Sequence, residues 1–307
     1  MRYGKYRFIA SFLALPLLLY IVFVVSPYLQ ALYISMTDWR GFSADRNFVG
    51  LANYAELLGD GRFWRAMWHN LLLLLVVPVV TLGITLFLAT MTTVARRRGS
   101  AGRSGVRGSR FYQVVFVFPH VVPLVIAGVL FAFFYNPEAG LLNGLLEAVA
   151  SLFRFEWVGP AWLGDPTFAL PAVMAVLIWS FVGFFYIVLS AAMKSLPTEV
   201  FEAAVLDGAG GFRTFVSITI PMLADSIRSS YIYLGILMLD CFALLQVMLP
   251  DGGPDGSTEV VAQYLYRAAF TDGRFGYASA IGVSLCLVTL VLAIVVLRSG
   301  RRERVEF

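Results

Sequence analysis

Six long apolar runs set the limits on what this chain can fold into. They cover residues 8–30, 71–93, 112–135, 168–192, 229–250 and 277–297. A helix needs about 20 mostly apolar residues to cross the hydrocarbon core of a bilayer, and every run reaches that length. The expected architecture is therefore all-α: a polytopic membrane protein with six transmembrane helices, forming a single transmembrane domain over residues 1–307. Composition agrees, with 59% apolar and 14% charged residues against roughly 45–50% and about 25% in a soluble domain. The first run is too long for a cleaved signal peptide and lacks a small-residue cleavage site, so it reads as a retained span. Pro16, Pro78, Pro119, Pro123 and Pro171 fall inside runs. The kinks they impose free backbone carbonyls that must find partners on neighbouring helices, as in a packed transport bundle.

The basic residues set the orientation. Sixteen of the 23 Lys and Arg residues lie at the N-terminus, in the 94–111 and 193–228 loops and in the C-terminal tail; the alternate loops hold the other seven. By the positive-inside rule both termini are cytoplasmic, and so is the 193–225 loop. The net charge of +4 collects beside the ends of apolar runs and does not form a basic groove, so no nucleic-acid partner is expected. The Gly/Ser/Arg loop at 98–110 reads as a solvated topology determinant, with partner binding as the alternative. Residues 141–153 and 258–270 carry apolar residues at helical spacing but are too short to span. They read as helices on the surface or capping the bundle.

Catalytic chemistry finds no support in this chain. Cys241 and Cys286 both lie in apolar runs and outline no disulfide framework, and His69 and His120 are too far apart for a His-rich metal site. No GxxxxGK[ST] loop is present to hold a nucleotide, and no Ser-His-Asp grouping is visible. No catalytic residue, cofactor or metal is expected on this chain.

The polar stretch between the fourth and fifth runs is the informative one. Pro197, Thr198 and Glu199 make a helix start. Gly208, Gly210 and Gly211 break the helix and permit positive φ, and Pro221 marks the return toward the membrane. A compact helix–turn–helix of this kind fits a groove of another protein; an ordinary interfacial connector is the other reading. The residues themselves resemble the EAA motif of ABC importer permeases: Glu202-Ala203-Ala204, then Gly208, nine residues, then Ile218, Thr219, Ile220 and Pro221, with Asp207-Gly208-Ala209 fitting the common DGA variant. The one departure is Ile220 where the pattern has Leu. Gly50-Leu51-Ala52-Asn53-Tyr54 resembles the GLxNY segment of the maltose and glycerol-phosphate type. Asp251-Gly252-Gly253-Pro254 with Thr258, and Phe275-Gly276-Tyr277-Ala278-Ser279-Ala280, resemble two further segments of the same group.

The resemblance covers nearly the whole chain and implies a sugar importer. Its partners would be an ABC ATPase dimer that binds ATP-Mg, a second permease subunit (a heterodimer), and an extracytoplasmic sugar-binding protein, with the whole embedded in the cell membrane. The ATPase-coupling residues it implies are Glu202, Ala203, Ala204, Asp207, Gly208, Ala209, Ile218 and Pro221. A permease for another solute, such as glycerol phosphate, and a secondary transporter are the alternatives. The latter would need inverted repeats and ionisable residues inside several spans, whereas Asp240 is the one acid in the middle of a run. Two readings of Asp240 stay open: a ligand for sugar hydroxyls, or a structural partner to a polar group on another helix. Gln246, Tyr233, Trp179, Tyr186 and Asn136 complete the candidate substrate path, because sugars need polar edges and aromatic faces; packing or an interfacial belt also accounts for the aromatic ones.

Overall fold

The computed structural model describes residues 2–41, 43, 45–98, 109–155 and 157–299. Arg103 and Arg107 of the basic loop and Arg301, Arg302 and Arg304 of the tail lie outside the described residues. Among the described residues the protein is all-α, with an isolated antiparallel bridge between Thr37 and Phe48. By internal contact the chain divides into two units. One is the chain up to Trp64 together with Tyr264–Val288, and the other is Arg65–Gln263 with the residues from Thr289 on.

In the first unit, α1 (Arg2–Tyr20) continues through a π turn at Ile21–Val25 into α2 (Ser26–Ile34). The Ser26 N–H bonds to the Ile21 carbonyl, five residues back. Pro27 explains the slip: it has no N–H and its ring crowds the carbonyl four residues behind it, so the ladder widens just before it. The 24-residue candidate span Ser11–Ile34 buries none of its most apolar window against the rest of the chain. The turn after α2 is held by α3 (Ala52–Gly59). Asn53 Nδ2 donates to the Ser35 and Thr37 carbonyls, both at 2.8 Å, and the Tyr54 hydroxyl shares a 2.7 Å hydrogen bond with Ser35 Oγ. The Gly276 N–H donates to the Trp39 carbonyl at 2.9 Å, and Phe275 packs on Trp39. Asn53-Tyr54 and Phe275-Gly276, read from sequence as separate signatures, therefore meet at one turn.

α4 (Gly61–Arg98) has 38 residues, about 57 Å at 1.5 Å per residue, so it outruns a hydrocarbon core of about 30 Å. Asp60 caps its start. Asp60 Oδ1 accepts from the Arg62 N–H at 2.8 Å, and Oδ2 accepts from the hydroxyls of Tyr264 and, at 2.6 Å, Tyr277. Burial pushes this carboxyl up, but the two phenols and the Arg62 and Phe63 N–H groups outweigh it and hold it below its ordinary 3.8. Burial and the Asp60 bond push the Tyr264 phenol up to about 12. A depressed carboxylate contributes stability that is present above its unfolded value and lost as pH falls through the folded one. A phenol raised in the folded state contributes below its unfolded value, about 10, and loses that contribution as pH rises toward the folded one. The clasp is thus intact from about pH 4 to about pH 10. Asp60→Asn is expected to flatten the acid limb of a melting-temperature profile of the solubilised protein, with a loss of about 2–4 °C per kcal/mol at neutral pH. An unchanged acid limb would refute the clasp.

The second unit holds the core. α5 (Ser109–Val121) and α6 (Leu124–Phe134) meet at a 101° bend. Pro123 stands at the bend; it disfavours helical backbone in the residue before it, and the run 112–135 is two helices, not one kinked rod. α7 (Leu141–Leu152) follows, pinned by the buried Asn143, whose amide accepts from Trp162 Nε1 at 2.7 Å and donates to the Pro137 and Pro160 carbonyls. α8 (Pro166–Lys194) starts at Pro166, with the Asp165 carboxylate accepting from the Thr167 N–H at 2.7 Å. It runs through the middle of the core: Val173, Val176, Leu177 and Leu189 are fully buried against residues such as Leu73, Val77 and Leu234. Gly183 lets α5 lie directly on α8, since a Cβ there would fall 2.3 Å from the Phe116 carbonyl oxygen.

Among the described residues four helices are long and apolar enough to cross a membrane, Ser11–Ile34, Gly61–Thr92, Pro166–Lys194 and Phe275–Val295, and the bent α5–α6 pair makes a fifth if counted as one. The run 229–250 is broken into shorter pieces, described below.

Candidate functional site

Between α8 and the next long helix the chain forms a short knob. α9 (Thr198–Leu206) begins after Pro197 and carries Glu199 in its first turn, where a negative charge favours the helix dipole. It ends in a complete Schellman cap. The Ala209 N–H bonds to the Ala204 carbonyl at 2.8 Å and the Gly208 N–H to the Val205 carbonyl at 3.1 Å, with Gly208 at φ +70°. This pair of bonds needs a left-handed residue at the position after the cap, which is glycine's usual place. After the turn come α10 (Gly211–Thr214), a π turn at Phe215–Thr219, and α11 (Ile220–Met222). Here too the residue before a proline reaches five back, Ile220 N–H to the Phe215 carbonyl, ahead of Pro221. Ile218 is half-buried, while Glu202, Ala203, Asp207 and Pro221 are exposed and Ala204 is buried.

The knob presents apolar residues to its surroundings. Leu206 is 88% exposed, Phe212 81% and Val205 63%. Leu206 and Phe212 flank the glycine turn and were not singled out by sequence. Large apolar residues bracketing a Gly-rich break in an otherwise polar loop are the signal that would have found them.

α12 (Ala224–Leu239) carries the polar members of the fifth apolar run and stops at Asp240; α13 (Ala243–Met248) resumes it. No proline causes this break. Asn70, fully buried on α4, reaches across to it: Nδ2 donates to the Met238 and Leu239 carbonyls at 3.1 and 3.2 Å. Its Oδ1 accepts at 2.8 Å from the N–H of Val261, the first residue of α14 (Val261–Phe270). One amide thus holds two of the carbonyls that the broken helix frees and ties them to the start of α14. Asn70→Leu is expected to destabilise the protein by about 2–4 kcal/mol, since a buried group left unpaired costs about 1–3 kcal/mol and interhelical bonds in membranes about 0.6–1.7. Melting of the detergent-solubilised chain measures it, and a loss under 0.5 kcal/mol would show that the break is held by something else.

Of the six substrate-path candidates, the structure brings Tyr233 and Asp240 onto one exposed face of this broken helix. The other four sit elsewhere. Tyr186 is buried, donates to Thr92 Oγ1 at 3.0 Å and packs edge-on against Phe116. Gln246 is half-buried, and its Oε1 accepts from Gln263 Nε2 at 3.3 Å. Trp179 packs on Phe131 with ring centroids 5.1 Å apart. Asn136 closes a local turn, its Oδ1 accepting from the Glu138 and Ala139 N–H groups. The Gly252-Gly253 loop after α13 is closed by Thr258, whose Oγ1 donates to the Gly252 carbonyl at 2.8 Å. His69 and His120 each bond a backbone carbonyl, Glu259 and Ser180 respectively. Among the described residues no group of three or more His, Cys, Asp or Glu is placed to hold a metal ion.

Residues 91–305 match the family model described as binding-protein-dependent transport system inner membrane component. The chain is 45% identical over 299 residues to the diacetylchitobiose uptake system permease protein NgcF of Streptomyces coelicolor, covering 97% of this chain and 84% of that protein. It is 30% identical over 298 residues to the multiple sugar-binding transport system permease protein MsmF of Streptococcus mutans, covering 96% of each. Among solved structures, a chain of a bacterial ABC transporter involved in the import of the acidic polysaccharide alginate superposes with a TM-score of 0.80 at 21% identity, over 98% of this chain and 97% of that one. That likeness speaks for the fold.

Proposed function

We propose that this chain, which belongs to the family of binding-protein-dependent transport system inner membrane components, is one of two permease subunits of an ATP-driven importer that takes up oligosaccharides. The observation that carries the proposal is the capped knob at α9. Its Glu202-Ala203-Ala204 and Asp207-Gly208-Ala209 residues match the EAA pattern, and exposed Val205, Leu206 and Phe212 offer apolar contact around the turn. Ala203 permits close approach of the ATPase, Glu202 makes a polar contact, Gly208 sets the bend, and Ile218 and Pro221 return the chain to the bilayer.

Six spans would form the transport path: α1–α2, α4, the bent α5–α6 pair, α8 and α15 (Phe275–Ser299) are long and apolar enough, and the broken α12–α13 pair is read as the sixth. The excess of basic residues on the side of the α9 knob supports cytoplasmic termini. ATP-Mg binds to the separate ATPase dimer, and closure of that dimer draws the two docked knobs together and rocks the spans, alternating access. Tyr233 and Asp240 face the path; a carboxylate costing about 2.5–3.5 kcal/mol in a span must face water or protein. The second permease is a related chain, and an external solute-binding protein delivers the sugar to the outer mouth. The relatives named for diacetylchitobiose and for multiple sugars support a sugar, and diacetylchitobiose is the first to test.

The test is reconstitution. Co-expressed with its ATPase, second permease and binding protein and placed in proteoliposomes, the complex is expected to take up labelled diacetylchitobiose or another oligosaccharide only with both ATP and binding protein present. A chain that never co-purifies with an ATPase, or a complex that transports no carbohydrate, would overturn the proposal.

A further inference from the structure

α4 is one continuous helix across Pro78. A proline inside a helix has no N–H to give, so the carbonyl four residues earlier, that of Leu74, lacks its usual partner. Here the partner comes from another helix: the Tyr231 hydroxyl of α12 donates to the Leu74 carbonyl at 3.3 Å. The two helices lie close at this level because residue 235, one turn further along α12, is glycine. A Cβ there would fall 2.8 Å from Leu74 Cδ1. Leu74 and Gly235 are buried, and Tyr231 is half-buried against the core.

α12 is thus tied to α4 at two levels, and the two ties are unequal. At the far end of α12 the fully buried Asn70 holds the Met238 and Leu239 carbonyls and the Val261 N–H, three bonds from one amide. One turn along α4, the Tyr231 bond is single, and 3.3 Å is long for an O–H···O bond, whose usual range is about 2.5–3.0 Å. The near end of α12 leads straight to the knob. Leu223 alone separates α11 from α12. Its N–H bonds to the Thr219 carbonyl at 3.1 Å, and its own carbonyl accepts from the Ile227 N–H at 2.9 Å. Helical bonding therefore carries through from the π turn into α12. A displacement of the knob meets Tyr231, about two turns into α12, before it meets the Asn70 tie.

We infer that Tyr231 and the carbonyl that Pro78 frees form a latch in the transport cycle. When the ATPase moves the knob, α12 pivots on its Asn70 tie, and the Tyr231–Leu74 bond is the one that opens. The inference rests on the reading of the chain as an ATPase-coupled permease. Tyr231 is a positioning residue and touches no solute. In an uninterrupted ladder the Leu74 carbonyl would already accept the N–H of residue 78. Because it does not, this carbonyl takes or releases an outside donor while the bonds of its own helix stay as they are. The size of the effect suits a latch. An interhelical bond in a membrane weighs on an equilibrium by about threefold, enough to bias two states and too little to lock either.

ATP hydrolysis by the assembled importer tests it. Tyr231→Phe keeps the ring and removes the hydroxyl. Without binding protein, the variant complex is expected to hydrolyse ATP about threefold faster than the unsubstituted one, because a restraint on the knob is gone. Its melting temperature should fall by no more than about 2 °C. Pro78→Ala restores the N–H that engages the Leu74 carbonyl. In that background Tyr231→Phe should change the rate by less than about 1.5-fold, since two substitutions that act on one bond do not add. Hydrolysis that Tyr231→Phe leaves unchanged or slows would overturn the latch. So would an equal effect in both backgrounds, which would mean that the hydroxyl acts on some other group. Slower hydrolysis with a larger drop in melting would make the bond structural only. If the unsubstituted complex hydrolyses no ATP, the functional proposal falls and the latch with it. If binding protein stimulates its hydrolysis and Tyr231→Phe leaves the basal rate as it was, only the latch falls.

Discussion

Gly183→Leu is expected to remove the protein from the membrane fraction. A Cβ on Gly183 would stand 2.3 Å from the Phe116 carbonyl oxygen and 2.8 Å from the Val117 Cα. Both are backbone atoms, so no rotamer change relieves the clash and α5 must move off α8. That displacement pulls Phe116 off Tyr186, whose ring packs edge-on against it with centroids 5.6 Å apart, and loosens the Tyr186 bond to Thr92. Overpacking a tight core costs about 1–3 kcal/mol even where side chains can yield, and here they cannot. Against a total stability of about 5–15 kcal/mol, Gly183→Ala should lower the yield and the melting temperature, and Gly183→Leu should leave little folded chain on an immunoblot of membranes. Gly144→Ala on α7, with nothing within 4 Å of its added carbon, is the matched control. Normal accumulation and melting of Gly183→Leu would mean that α5 and α8 do not touch backbone to backbone.

Much of the architecture is legible in the sequence because it depends on local chemistry. An apolar run of sufficient length forms a helix, and Gly208, Gly210 and Gly211 predict a break that permits positive φ, which the structure shows at Gly208 alone, as a Schellman pair of bonds, with Gly210 at φ −67°. Both π turns likewise fall just ahead of prolines that are plain to read. What the sequence does not display is set by distant partners. The break at Asp240 has no proline; its freed carbonyls go to Asn70, about 170 positions earlier in the chain. Whether an aromatic residue in a span packs or faces open space depends on which helix lies against it. Tyr186 meets α5 and is buried, while Tyr233 lies on the exposed face of α12 and is half-exposed. Residue type is the same in both cases, so composition alone could not separate them. Motif residues are similarly ambiguous: Asn53 and Tyr54 read as a signature of solute class, yet their side chains are spent on the backbone and hydroxyl of the 35–37 turn.

Gly208→Val should cut uptake at least tenfold while leaving the bundle in place. Gly208 has φ +70°, and no atom lies within 4 Å of the Cβ that a substitution would add, so the effect is backbone strain without a clash. A left-handed conformation costs an L-residue roughly 1–2 kcal/mol, and more when it is β-branched. Relief of that strain breaks the Ala209–Ala204 and Gly208–Val205 bonds and changes the turn that Leu206 and Phe212 flank. Of these residues only Ala204 is buried, and none belongs to the packed core of the bundle, so insertion and melting should be close to those of the unsubstituted chain. If the knob must hold one shape to follow the ATPase, a strain of about 1.4 kcal/mol or more lowers the competent population at least tenfold. Uptake in proteoliposomes should fall by that factor, and ATP hydrolysis should lose its stimulation by binding protein. Gly208→Asn separates shape from size, because Asn enters the left-handed region more readily than other side chains; it should keep most of the uptake despite being bulky and polar. Wild-type uptake by Gly208→Val would remove the knob from the coupling path, and failure of Gly208→Asn alongside it would show that space, not backbone conformation, is what position 208 supplies.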